Sequence, residues 1–155
     1  MKKKLKWILL ALIIVLALAQ LTNPARTNPP VVYDFAATNP PPPQIATLLH
    51  AACYDCHSYE TKWPWYSRVA PVSWLVASDV NEGREHVNLS DWPKDSERAA
   101  KKLERMSEAI EDNDMPPGKY TMIHADARLT ADQRKQLTQW LDASAEQLKT
   151  ATPTK

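Results

Sequence analysis

Thirteen prolines set against two glycines narrow the folds open to this 155-residue chain. Hairpins and tight β-turns draw on Gly, Asn and Asp for backbone of positive φ, whereas proline opens helices and stiffens the connections between them. The expectation is an all-α fold. The prolines are also unevenly placed: Pro24, Pro29, Pro30, Pro40, Pro41, Pro42 and Pro43 all fall within residues 22–43. That composition favours extended polyproline II over helix and divides the chain into residues 1–21, 22–43 and 44–150, the last being one small domain by length. At ~3.1 Å per residue, a spacer of this kind would hold the domain on the order of 60 Å from an anchor. The alternative is an arm that wraps over the domain.

Residues 1–21 read as a signal peptide or an N-terminal membrane anchor. Lys2, Lys3, Lys4 and Lys6 precede 13 uninterrupted apolar positions, 7–19, and Ala17-Leu18-Ala19 supplies a small-residue cleavage site. The run is shorter than the ~20 residues that usually span a hydrocarbon core, although Leu21 with tilt or bilayer thinning would serve a retained anchor. Either outcome puts the domain outside the cytoplasm, in the periplasm or on the outer face of the inner membrane. The residue after the cleavage point is Gln20, not Cys, which excludes a lipidated mature N-terminus. Taking the four leader lysines from 19 Lys and Arg leaves 15 against 18 Asp and Glu, a net charge of −3. No clustered basic face remains, so nucleic acid is not an expected partner.

Four helices follow from apolar spacing. Ile45, Leu48, Leu49 and Ala52 share one helical face that runs into the cysteines. A second pattern opens after Pro71, with Val72, Leu75, Val76 and Val80 expected inward and Gly83 marking a soft spot near its end. A third covers about 95–112, with Ala99, Leu103, Met106 and Ile110 in register. Thr130 and Gln133 form a Thr-x-x-Gln capping box ahead of a fourth, on which Leu137, Trp140, Leu141, Ala145 and Leu148 share a face. Four short helices bury little apolar surface alone, so a large apolar cofactor at their centre is expected to support folding.

The segment Cys53-Tyr54-Asp55-Cys56-His57 supplies that cofactor. In a C-x-x-C-H motif two thiols add to the two vinyl groups of haem, and the adjacent imidazole becomes the proximal iron ligand. Cys53 and Cys56 are the only cysteines in the chain. A disulfide or a thiol–disulfide exchange site is the rival reading, but the latter needs a strand before the motif, and residues 44–52 read as helix. Zinc lacks a second pair of ligands. For the sixth iron position Met115, in Asp114-Met115-Pro116-Pro117-Gly118, is the leading candidate, because the flanking prolines fix an extended loop able to present a thioether. His124, Met122 and His86 are alternatives, and His50 has no assigned role. The aromatic run Trp63-Pro64-Trp65-Tyr66-Ser67-Arg68 would either wall the haem, with a Trp indole, Tyr66 or Arg68 donating to its propionates, or form ordinary aromatic core.

Cys-Tyr-Asp-Cys-His-Ser, Trp-Pro-Trp-Tyr-Ser, Ala-Pro-Val-Ser-Trp-Leu, Glu-Gly-Arg-Glu-His, Met-Pro-Pro and the Leu-Thr helix start, spread over residues 45–141, resemble the bacterial haem-binding domain family of c-type haem proteins. Their order is also similar to small class I cytochromes c. The resemblance implies covalent attachment at Cys53 and Cys56, axial ligation by His57, and Met115 in the place of the distal Met. The long Trp- and Pro-rich insert after the motif departs from class I cytochromes. The expected function is periplasmic electron transfer by one haem c, whose iron cycles between two oxidation states beside redox partner proteins of the envelope. A haem-based redox or small-molecule sensor, or a weak peroxidase-like site with an open sixth position, is the alternative, and a purely structural role is a third. No distal His with an adjacent Arg or acid is legible for peroxidase chemistry, so an enzyme is not expected.

Overall fold

Apolar spacing, capping residues and proline positions translate into an all-helical chain. The structure is a computed structural model that describes residues 2–151, and among them eight α-helices and no strand are found. Helix α1 (Lys2–Ala19) buries no residue and ends in a 3-10 turn, Gln20–Thr22. A single turn, α2 (Phe35–Thr38), precedes α3 (Pro43–Ala52), and the motif itself forms α4 (Tyr54–His57). After a 3-10 turn at Trp65–Arg68 come α5 (Val72–His86), α6 (Ser96–Glu111), α7 (Gly118–Thr121) and α8 (Ala131–Ala151).

The core lies between α6, α8 and α3. Ala99, Leu103 and Ile110 of α6 and Leu137, Leu141 and Ala145 of α8 are buried on facing stripes, with Ile45, Leu48 and Leu49 of α3 across them. Both long helices start from side-chain caps that satisfy otherwise unpaired amides. Asp95 accepts from Arg98 N at 2.8 Å. The capping box of α8 closes in both directions, Gln133 N donating to Thr130 Oγ1 at 3.2 Å and Thr130 N to Gln133 Oε1 at 2.8 Å.

Two expectations are corrected. On α5 the buried stripe is Ser73, Ala77, Val80 and Gly83, while Val72 and Leu75 are exposed and Val76 is half-buried. Small residues face inward because this helix meets the motif turn closely, which leaves its larger side chains on another face. Gly83 is no soft spot, for the helix continues past it to His86.

Residues 22–43 do not form a free spacer but an arm laid along the domain. Arg26 Nη1 donates to Ser67 O at 3.3 Å and Asn28 Nδ2 to Thr61 O at 2.9 Å. Val32 N and Phe35 N donate to Ser90 O and Leu89 O, both at 2.9 Å, and Trp92 N returns a bond to Tyr33 O. Phe35 is fully buried edge-on to Trp92, with ring centroids 4.7 Å apart, and reaches Trp140 of α8 at 6.0 Å. Extended polyproline-like backbone leaves its polar groups free for such bonds, so the composition suits a strap as well as a spacer. Phe35→Ala is expected to cost about 3–5 kcal/mol, read as a lowered midpoint in denaturant unfolding, whereas a spacer residue would leave the midpoint in place.

Candidate functional site

The motif turn is gripped from both sides. Cys53 N donates to Leu49 O at 2.8 Å, so α3 delivers the chain directly into it, and His57 N donates back to Cys53 O at 2.9 Å. Tyr54 points into the core, and Ser58 closes the turn by donating from Oγ to Tyr54 O at 2.7 Å. On the other side stands the C-terminal half of α5. A Cβ on Gly83 would lie 2.7 Å from Cys56 O. Only glycine lets the two backbones approach this closely.

That approach fixes His57. Its Nδ1 is 2.8 Å from Gly83 O and 3.1 Å from Val87 O, and both are acceptors, so Nδ1 carries the proton and donates. Nε2 is left with its lone pair free to bind a metal, in the arrangement that orients a ligating imidazole and raises its basicity. The main chain is held as well, Leu89 N donating to His57 O at 2.7 Å. Burial, working against these two carbonyl contacts, keeps His57 below its ordinary pKa and favours the neutral ring a metal requires.

Cys53 and Cys56 are half-buried free thiols. Burial, with Cys56 adding, pushes Cys53 up to about 12; burial, with Asp55 and Asp79 adding, raises Cys56 to about 11. Thiols that resist ionisation are poor partners for thiol–disulfide exchange, which needs a depressed pKa.

A third element closes over the turn. Asp55, between the cysteines, accepts from Lys62 N at 3.0 Å through Oδ1 and from the Tyr120 hydroxyl of α7 at 2.8 Å through Oδ2. Lys119 of α7 donates to Asp79 of α5 at 2.7 Å. Burial and the Asp55 bond both raise the Tyr120 pKa, which keeps that hydroxyl a donor. Next to it His124 stacks on Tyr120 at 4.1 Å, and its Nε2 is hydrogen-bonded to the Tyr66 hydroxyl at 2.6 Å.

Met115 precedes this element by three positions. Its amide donates to Ala109 O at 2.9 Å, its carbonyl accepts from Arg134 Nη1 at 3.0 Å, and its side chain is 37% exposed. Met122 is well exposed, and exposed His86 lies 3.9 Å from Glu82 on the surface of α5. His50 lies over Tyr54 at 3.8 Å. In the aromatic run, Trp63 Nε1 donates to Asn28 of the arm at 3.2 Å, while the Arg68 side chain makes no hydrogen bond among the described residues. Sequence reasoning missed Gly83, Val87, Asp55 and Arg84. Arg84 donates to Ser58 O, Thr27 O, Asn28 and Thr61, and its guanidinium lies 5.2 Å from the Tyr59 ring centroid. A glycine deep in a helical pattern is the one signal that pointed to this contact.

These residues fit a haem. A neutral imidazole offers Nε2, two free thiols precede it in the same turn, and α5 turns Val72, Leu75 and Val76 away from the protein core. Asp79 of that same face pairs with α7, which links the apolar positions to the element above the motif. An all-helical domain with an imidazole oriented in this way would suit a haem-binding protein. A family model described as a haem-binding domain matches residues 14–143, most of the chain, and the chain belongs to that family. No match was found among curated proteins or among solved structures. Gly83→Ala is expected to cost about 1–3 kcal/mol through overpacking against Cys56 and to lower the haem recovered per polypeptide, measured by thermal unfolding and by the Soret-to-protein absorbance ratio.

Proposed function

We propose that Cys53 and Cys56 hold haem c covalently, with His57 Nε2 as proximal and Met115 as distal ligand, and that the domain transfers electrons outside the cytoplasm. The observation that carries this reading is the placement of His57 Nδ1 between two acceptors, Gly83 O and Val87 O, which favours the tautomer whose Nε2 is free to ligate. The bound haem supplies one-electron chemistry at iron. The chain's own part is to orient the imidazole, strengthen it through the Nδ1 bond, and wall the ring with the exposed apolar face of α5. His124 is already engaged by Tyr66 and Tyr120, which favours Met115 for the sixth position. Thioether ligation raises the reduction potential and closes the iron to small molecules, and this supports a carrier over a sensor or a peroxidase-like site.

Retention of α1 as the anchor belongs to the same proposal. Four lysines at its start favour a cytoplasmic N-terminus, and the family match begins at residue 14, inside the helix. The Gln20 side chain accepts from Ala70 N at 3.1 Å and donates to Ala70 O at 3.4 Å, so helix and domain meet without a spacer.

The test is expression with c-type maturation machinery, followed by acid–acetone extraction and pyridine haemochrome spectra. Haem is expected to stay with the wild-type polypeptide, to remain through a single thioether in Cys53→Ala or Cys56→Ala with a red-shifted haemochrome, and to be extracted from the double variant. Haem extracted from the wild type would refute covalent attachment. Met115→Ala is expected to abolish the weak long-wavelength charge-transfer band of thioether-bound ferric haem and to lower the potential, and an unchanged spectrum would refute that ligand.

A further inference from the structure

The join between α1 and the domain is made of directional contacts. Besides the two-way Gln20–Ala70 pair, Asn23 Nδ2 donates to Arg68 O at 3.2 Å, Ser73 Oγ donates to Asn23 Oδ1 at 2.5 Å, and the Trp74 indole donates to Thr22 O at 3.2 Å. The end of the apolar helix is therefore fixed against residues 68–74. Whatever those residues expose sits at the level where α1 leaves its surroundings.

Large apolar side chains are exposed on this segment and on its neighbours at the join. Leu21 is 81% exposed, Val69 45%, Trp74 42% and Trp65 77%. Trp65 opens the turn whose Ser67 and Arg68 carbonyls accept from the arm. Arg68 is exposed, and its guanidinium is without a hydrogen bond among the described residues. Charge is sorted too. Residues 20–33 and 61–77 together carry Arg26, Lys62 and Arg68 and no Asp or Glu, whereas the remainder after residue 19 carries 12 basic against 18 acidic side chains. Tryptophan at the headgroup level and arginine reaching for phosphate are the side chains that membrane interfaces select, and a basic surface beside a helix exit is drawn to anionic lipid.

We propose that Leu21, Trp65, Arg68, Val69 and Trp74 form a collar that rests on the outer leaflet of the membrane and fixes the orientation of the haem domain relative to it. This rests on α1 being retained as an anchor. The occupant is the lipid headgroup region, because the collar is continuous with the one helix among the described residues that is long and apolar enough to enter a bilayer and is the acid-free part of a domain otherwise net negative.

Full-length, haem-loaded protein labelled with 5-fluorotryptophan, in nanodiscs of phosphatidylcholine and phosphatidylglycerol doped with a gadolinium-chelate lipid, gives the test by fluorine NMR. Single Trp→Phe variants assign the lines. Loss of the Trp65 and Trp74 lines is expected, with buried Trp92 and half-buried Trp140 retained, and Arg68→Glu with Val69→Glu, both at exposed positions, is expected to restore Trp65. Trp7 reports the anchor separately. Trp7 lost while Trp65 and Trp74 persist overturns the collar and leaves the anchor standing, and a Trp65 line that the double variant fails to restore also overturns it. Trp7 absent or unaffected removes the anchor, and the collar with it.

Discussion

The rest of the site depends on the approach of α5 to the motif turn at Gly83. Because no side chain intervenes there, the carbonyls that end α5 come within reach of an imidazole four residues from the first cysteine. The Gly83 carbonyl accepts from both His57 Nδ1 and the capping amide of Val87. One acceptor thus terminates a helix and sets a tautomer. Helix C-terminal carbonyls carry partial negative charge, so the same contact that orients the ring also strengthens its free nitrogen as a ligand.

Around this contact the molecule separates into two regions. The layer of α3, α6, α8 and the arm has a closed apolar core centred on Phe35, Leu103, Leu137 and Leu141. The region of α4, α5 and α7 is held chiefly by polar contacts, through Asp55, Asp79, Lys119, Tyr120 and Arg84, and leaves larger apolar side chains exposed. A rigid support beside an unsatisfied apolar face is a suitable arrangement for seating a flat hydrophobic ring. Tyr54 joins the two regions, since its ring belongs to the core while its neighbours in sequence belong to the site.

Much of this was legible in the sequence, and the boundary of legibility has a physical origin. Helices with a strong apolar period, α6 and α8, were read correctly together with the capping box at Thr130 and Gln133, because period and caps are local properties. The Cys53, Cys56 and His57 signal is local for the same reason. On α5 apolar character pointed inward correctly for Val80 but not for Val72, Leu75 and Val76, because the close approach of the motif turn admits the small Ser73, Ala77 and Gly83 instead. Spacer and arm stayed open together because a polyproline-like composition specifies backbone conformation and says nothing of what the backbone lies against. Asp55–Tyr120 and Arg84–Thr27 join residues 65 and 57 positions apart, and a single sequence holds no record of such pairs.

The strap has a consequence for the order of events during synthesis. Phe35 reaches its final place only when Trp92 and Trp140 stand beside it, and α8 is made after every other element of this core. The turn bearing Cys53 and Cys56 leaves the ribosome 87 residues before Trp140, and domains complete their packing only once the whole unit has emerged. Thiols that are half-buried in the finished domain therefore pass through an interval in which the core behind them is open. Any chemistry that modifies them has its best access in that interval, ahead of the closure of the last helix.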